Sequence, residues 1–417
     1  MRILYLSVAF PLPVNNGHRM RIWSVLEGLQ AEGHETTFLT FAEENDLKVD
    51  LAPLRKLCSH VECVPMELKR LSASTDYLSR LKSIFDSRPY ATLRFISPEM
   101  RSLVEKALRD ERPDAIICDT VFSAVNLQET NVPLIVNSPD VEHLILKRYI
   151  SFEANPIKRL YARMEMQKVK RWETKICRRA RVCMACSEHD REVLAGLAPN
   201  TSAVFLPNVV DTESYVPKFE SKGSAMLFQG GMDWFPNPDA VEFFSTQILP
   251  LIHKSVPEAV FVAAGRNPSA EMVSRYSNKP GVNLTGTVPD MRPYLEDAAL
   301  CVVPLRIGSG TRLKILESAA AGKAIVSTRL GAEGLDFEDG KEIVLADSPE
   351  DFSAAVVTLL QNEPKRRALA MAARKRVVEK YSYTNLRQTL VRALSSIGGS
   401  VPGRLEAEGT KKETVII

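Results

Sequence analysis

The chemistry of this sequence concentrates in one stretch, Arg306 to Thr328, which reads RIGSGTRLKILESAAAGKAIVST. It opens with small residues, becomes amphipathic, and reaches Gly322 just before an apolar run. That is the order loop, helix, turn, strand. Gly308, Ser309 and Gly310 let backbone amides turn outward, and Thr311 can cap a helix that begins there. Free N–H groups at a helix N-terminus attract anions, phosphates above all. Arg312 and Lys314 add positive charge to the first turn, against the preference of the helix dipole, so something negative should offset them. Glu317 follows Lys314 by three residues and lies on nearly the same face. There its carboxylate can accept two hydroxyl hydrogen bonds. Phosphate donors with a hydroxyl acceptor one turn deeper match a nucleoside diphosphate and its ribose. A capped amphipathic helix with a Lys–Glu pair matches the same residues, and this stretch alone leaves both readings open.

Other chemistries fit less well. A Walker A loop needs Ser or Thr after its lysine, and Ile315 follows Lys314. A dinucleotide fingerprint needs glycine where Leu313 stands, and the turn after the first apolar run, AFPLPVNNGHRMR, lacks it too. A nicotinamide or flavin enzyme is therefore disfavoured. Cys183 and Cys186 have C-x-x-C spacing, but ARVCMACS reads as a strand, where residues three apart face opposite sides. With no second pair or histidine cluster, no metal site is expected. Scattered cysteines point to a reduced, cytoplasmic protein. Gly17, in the loop after the first strand, either lets backbone approach a ligand or makes a simple turn after Asn16.

The elements that must position these residues follow from hydrophobic patterning. Apolar runs at 2–8, 36–41, 61–65, 115–119, 134–137, 181–186 and 204–206 alternate with helical patterns such as 18–32, 91–109 and 188–197. Buried runs separated by helices indicate a parallel sheet covered on both faces. The segment PNVVDTESYVPKFESKGS is polar and turn-rich, as a linker would be. Alternation then resumes, with strands at 225–229, 260–264, 282–284, 300–304 and 324–327 and helices including 239–253 and 313–321. The expected organisation is α/β: a Rossmann-like domain over 1–210, a linker over 211–223 and a second Rossmann-like domain over 224–380. A helix at 381–397 would return to the first domain, followed by a loose tail at 398–417 without periodicity. Open parallel sheets bind ligands at the carboxyl ends of their strands, so two facing domains would hold a site in the cleft between them.

A chain of 417 residues accommodates two such cores. Its net charge of +3 argues against bulk nucleic-acid binding but leaves room for a local basic patch. KRLYARMEMQKVKRWETKICRRARV, within Lys158–Arg181 and its continuation, is that patch. It is either a solvated helix face or a helix resting on anionic lipid. No run approaches the length of a membrane span. The start, MRILYLSVAF, is followed by PLPVNNGH rather than a cleavage site, and reads as a buried strand.

From residue 1 to about 395 the sequence resembles glycosyltransferase family four, the retaining sugar-nucleotide-dependent transferases of the GT-B fold. The blocks that carry the resemblance are PLPVNNGHRMRIWSVLEGLQAEGHETTFLT, CSEHDREVL, FLPNVVDTESY, FQGGMDWFPNPDAVEFFSTQILPLI, VAAGRNP, the run from NLTGTVPD through STRLGAEGL, and YSYTNL. The local pattern resembles a subgroup associated with exopolysaccharide and cell-envelope glycan synthesis. The resemblance implies a nucleotide-diphosphate sugar donor on the second domain and a hydroxyl acceptor, glycan or lipid-linked, on the first. The family frames its donor loop with two glutamates separated by seven residues. The second maps onto Glu317, implying the ribose contact. The first maps onto Ser309, a departure that leaves the sugar contact open. Many members follow the residue equivalent to Gly231 with an Arg and a Lys for the diphosphate, and GGMDWFPNP has neither. The charge is then expected from Lys314, Arg312, Arg306 or Arg266. His143, in NSPDVEHLILKRY, maps best onto the first-domain histidine that the family often sets near the donor sugar. A loop histidine with a local hydrogen bond is the alternative. No D-x-D cluster suits a metal, so the implied chemistry needs no obligatory metal or other cofactor. A sugar-nucleotide epimerase on the same fold and a noncatalytic nucleotide-sugar-binding partner are the rival functions.

Overall fold

The computed structural model describes residues 1–14, 16–66, 80, 83–221, 223–308 and 311–397; the expected tail at 398–417 lies outside them. Two parallel sheets organise the chain. The first contains β1 (Arg2–Ser7), β2 (Glu35–Ala42), β3 (His60–Pro65), β4 (Ala115–Asp119), β5 (Leu134–Ser138), β6 (Val182–Ala185) and β7 (Ser202–Phe205), in the order β3-β2-β1-β4-β5-β6-β7. The second contains β8 (Ala225–Gln229), β9 (Val260–Ala264), β10 (Val282–Gly286), β11 (Leu300–Val303), β12 (Ala324–Ser327) and β13 (Val344–Leu345), in the order β10-β9-β8-β11-β12-β13. Both are doubly wound α/β sheets. Strand order reverses beside β1 in the first and beside β8 in the second, so each has a crevice at the carboxyl ends of its central strands.

Local chemistry sets the helix starts. Asn16 accepts from the Arg19 amide at 3.0 Å and opens the Gly17–Ala31 helix. Ser97, Ser187, Ser269 and Ser348 cap four others in the same way. The helical pattern at 91–109 is two helices, Tyr90–Leu93 and Pro98–Asp110. A residue before proline avoids the helical region, so Ser97 ends one run and caps the next. The pattern at 239–253 starts earlier, at Pro236, and is interrupted by a π turn over Phe244–Ile248. Pro250 has no amide to donate to the carbonyl four residues back, which accounts for the wider turn.

Three apolar clusters fill the molecule: one on each face of the first sheet and one spanning the second. The final helix, Tyr383–Ser395, buries Leu386, Leu390, Ala393 and Leu394 in the cluster that holds Ile3, Ile22 and Leu26 of the first sheet and its opening helix. The turn-rich segment after β7 is not loose. Tyr215 and Phe219 pack on the second core, the Lys218 amide donates to Ala321 O at 3.0 Å, and Pro217 and Phe219 press against Gly322.

Gly28 is where the opening and final helices touch. A Cβ there would lie 2.9 Å from Leu386 Cδ2 and 3.1 Å from Leu390 Cδ2. A mid-helix glycine is unfavourable by itself, and close approach explains its presence. Gly28→Leu should overpack the contact and cost about 1–3 kcal/mol, read as a lower melting temperature, whereas Gly33→Ala, with open space around its Cβ, probes only backbone strain.

Candidate functional site

The two crevices face each other and are joined by direct contacts. A Cβ on Gly17 would meet Leu313 Cδ1 at 3.4 Å, so the opening helix of the first sheet begins against the Leu313–Ala320 helix of the second. Asn208 Nδ2 donates to Thr311 Oγ1. Arg148, in the Glu142–Phe152 helix, donates to Gly308 O at 2.6 Å and to Glu333 Oε1 at 2.7 Å.

On the second-domain side, β8 and β11 deliver the loops. The helix expected over 313–321 runs from Leu313 to Ala320, with Arg312 at the N-cap position and no side-chain cap. Thr311 is therefore not the cap, because its hydroxyl is engaged by Asn208. Lys314 is half-buried rather than free on a first turn. Its Nζ donates to Asn237 Oδ1 at 2.8 Å and sits 4.2 Å from the Phe228 ring centroid. Burial and the neighbouring Arg312 charge pull its pKa down to about 7, opposed by Glu317. Glu317 accepts from Gln229 Nε2 at 2.6 Å. Burial pushes its pKa up to about 7, against the Lys314 charge. Lys314 thus bonds an amide rather than Glu317, and burial draws both groups toward neutrality. Gln229 Oε1 is buried without a hydrogen-bond partner among the described residues, leaving an acceptor beside the Glu317 carboxylate.

Two of the other expected cations, Arg266 and Arg306, have carboxylate partners. Arg266 Nε lies 3.3 Å from Asp233 Oδ2, and Arg306 makes a two-pronged pair with Asp239 at 2.6 and 3.1 Å. Arg312 is buried, at 8% exposure, and its pKa is lowered by that burial. Its Nη2 lies against Gly308, where a Cβ would come within 2.7 Å and φ is +137°. Gly231 closes on Asp233, where a Cβ would be 2.6 Å from Oδ1. Ser309 and Gly310 lie outside the described residues. His143 is buried at the first turn of its helix, with Nδ1 2.5 Å from Glu173 Oε2, while Glu173 Oε1 accepts the Glu142 amide at 3.0 Å. The local hydrogen bond is the environment the structure gives it.

On the first-domain side the sequence reading missed a polar network. Asp119, at the end of β4, is fully buried. Its carboxylate accepts from Ser7 Oγ at 3.2 Å and Asn137 Nδ2 at 3.0 Å, and His18 Nε2 approaches to 2.6 Å. Burial opposes the charged form of His18, but the Asp119 charge and hydrogen bond outweigh it, and the pKa is raised. Asn137 Oδ1 accepts from Arg21 Nε at 3.1 Å and Nη2 at 2.9 Å. Arg21 Nη1 reaches Leu206 O, Pro207 O and Asn208 Oδ1 at 2.6, 2.9 and 3.2 Å. Polar residues ending otherwise apolar strands, AIICD and LIVNS, were the signal available.

Among the described residues no group of three or more His, Cys, Asp or Glu could hold a metal ion, and no helix is long and apolar enough to cross a membrane. The cysteines there, including Cys183 and Cys186, are free.

Two family models match the chain. The one described as Glycosyltransferase Family 4 covers residues 15–214, and the one described as Glycosyl transferases group 1 covers 223–362. An uncharacterized 44.6 kDa protein in the cps region of Klebsiella pneumoniae is 23% identical over 400 residues, 91% of this chain and 96% of that protein. Sucrose-phosphate synthase from Thermosynechococcus elongatus superposes with a TM-score of 0.71 at 15% identity, covering 95% of this chain and 99% of that one. Anabaena HepE in complex with UDP-glucose gives a TM-score of 0.65 at 14% identity, covering 95% and 100%.

The His143–Glu173 contact has a consequence for folding. Glu173→Ala removes the acceptor of two buried donors and should cost about 1–3 kcal/mol, measured as a fall in the denaturant midpoint. An unchanged midpoint would free His143 from this structural account.

Proposed function

From a chain that belongs to the family-four glycosyltransferases of the GT-B fold, we propose a transferase that draws its sugar from a nucleoside-diphosphate sugar held by the second domain. The observation that carries this reading is the side-by-side placement of Lys314 with Asn237 and of Glu317 with Gln229 on one short helix at the end of β8. The first pair supplies donors for phosphate, and the second supplies acceptors for vicinal hydroxyls. A bound diphosphate favours the charged form of Lys314, and ribose hydroxyls favour the ionised form of Glu317, so the ligand completes a pair that is half-neutral without it. Anabaena HepE forms a complex with UDP-glucose, in keeping with such a donor.

The acceptor is a glycan or lipid-linked hydroxyl approaching from the first domain, and the cps-region relative fits a place in polysaccharide synthesis. Family membership supports retention of configuration: the acceptor oxygen bonds to the anomeric carbon on the face the diphosphate leaves, and the leaving phosphate takes the acceptor proton. Fixed side-chain donors, rather than a metal, answer the charge that develops on the diphosphate.

The Pro156–Arg179 helix supports peripheral contact with an anionic membrane. Arg163, Lys170, Arg171 and Lys175 are exposed along it, while its two acids, Glu165 and Glu173, are buried. Ile157 and Leu160, 79% and 69% exposed, add apolar residues at its start. A face that sorts its acids inward and its bases outward complements negative lipid headgroups.

Two experiments test these readings. In a thermal-shift screen of UDP, GDP and ADP sugars, one donor should raise the melting temperature by mass action. Glu317→Gln should weaken its binding by about 1.5–3 kcal/mol in calorimetry. Lys314→Ala should also weaken it and remove the loss of affinity that wild type shows as pH rises above 7 and Lys314 deprotonates. Unchanged affinity in both variants would remove this helix from the donor site. In co-sedimentation, the chain should bind vesicles containing phosphatidylglycerol but not phosphatidylcholine alone. A Lys170→Glu, Arg171→Glu, Lys175→Glu variant should lose about 1 kcal/mol for each base removed, and equal binding to both vesicle types would end the membrane assignment.

A further inference from the structure

His18 stands where the reacting end of a donor would lie. It is the second residue of the helix whose first residue, Gly17, touches Leu313 of the donor-loop helix. It also overlies the reversal of strand order between β1 and β4, the position where open parallel sheets take ligands. Its side chain keeps 32% exposure, whereas Asp119 beneath it has none. Nε2 is committed to Asp119, and among the described residues Nδ1 has no hydrogen-bond partner. The backbone is strained immediately beside this pair: Thr120 has φ +66°, a left-handed conformation that a β-branched residue rarely adopts. Meanwhile the cations offered by the sequence for a diphosphate are largely engaged, with Arg266 on Asp233, Arg306 on Asp239 and Arg312 buried against Gly308.

We propose that His18 is a catalytic residue of the transferase, held through Nε2–H by Asp119 so that Nδ1–H donates to the diphosphate of the bound sugar nucleotide as it departs. The proposal rests on the nucleoside-diphosphate donor reading. His18 keeps its proton throughout. The anomeric C–O bond breaks with its electron pair passing to the diphosphate, the acceptor oxygen bonds to the anomeric carbon, and the acceptor proton goes to the leaving phosphate. The imidazolium stabilises charge that grows along this path, so its contribution is larger in the transition state than in the bound donor. Asp119 is a positioning residue: it fixes the ring and favours its charged form. The groups facing His18 are Asp119 and Asp140, which favour that form, and Arg21, which opposes it. An arriving diphosphate adds negative charge and favours it further.

The test is a histidine NMR titration of the full chain with and without the nucleoside diphosphate selected from UDP, GDP and ADP by thermal shift, together with the kinetics of sugar release from the matching sugar nucleotide without acceptor. The chain has six histidines, and the His18 signal is the one missing from His18→Gln. Nucleotide should move its titration to higher pH, and Asp119→Asn should move it to lower pH. His18→Gln should lower kcat for sugar release roughly 10²- to 10³-fold, as loss of a fixed donor to a developing anion does, with a much smaller change in donor KM. An unmoved His18 titration in saturating nucleotide overturns the proposal even if His18→Gln folds poorly. So does wild-type kcat in a folded His18→Gln. If none of the three nucleotides shifts the melting temperature of the wild-type chain, it is the donor reading that fails, before any histidine is titrated.

Discussion

Arg21 is the interaction on which the arrangement of the two sheets depends. Its guanidinium is 2% exposed and surrounded by oxygen: Asn137 Oδ1, the carbonyls of Leu206 and Pro207, and Asn208 Oδ1. Burying a cation costs several kcal/mol unless its donors are satisfied, and here the partners are neutral dipoles rather than a carboxylate. All but Asn137 belong to the segment by which the chain leaves the first sheet. The same segment reaches the second domain, because Asn208 donates to Thr311. A continuous path of hydrogen bonds therefore runs from His18 and Asp119 through Asn137, Arg21 and Asn208 to Thr311. Removing Asn137 would leave Arg21 Nε and Nη2 buried without their acceptor, the costly half of hydrogen-bond energetics.

The path also distributes charge. Asp119 lies fully buried on one side of Asn137 and Arg21 on the other, so the first domain's crevice holds opposite charges separated by an amide rather than a direct ion pair. The Asp119 charge, felt directly by His18, holds the ring toward its protonated form, while Arg21 pulls weakly the other way. Across the cleft the logic inverts. Burial drives Lys314 and Glu317 both toward neutrality, with pKa values of about 7 each, and neither finds the other as a partner. One crevice thus carries its charges ready-made, and the other waits for a ligand to restore them.

The fold was legible because parallel strands buried on both faces are nearly continuous apolar runs, and most strand positions follow from AIICD, LIVNS, AMLFQ and LCVV alone. The two-residue β13 had too little sequence to signal itself. Helix ends were legible where a capping serine preceded them and misread where proline altered the ladder, at Pro98 and Pro250. The site was legible on the second domain, where Lys314 and Glu317 lie on one helix a turn apart. Partners that come from distant strands carry no local spacing. Asn237 under Lys314 and Gln229 on Glu317 are 77 and 88 residues away, and His18 and Asp119 are separated by 101. The burial of Arg312, at 8% exposure, likewise carries no local signal in GSGTRLK.

Arg148 reaches across from the first domain to the segment that follows β11. It holds Gly308 O and Glu333 together from a helix of the first domain, at the point where Gly308 adopts a conformation reserved for glycine. Arg312 packs against the other side of Gly308. Two guanidinium groups therefore bracket one glycine; burial lowers the Arg312 pKa, and the nearby Arg148 charge lowers it further. Repulsion between them is offset by Glu333 and Asp140, which sit on opposite domains. Gly308 is thus held by charged side chains of both domains, Arg148 on one side and Arg312 on the other.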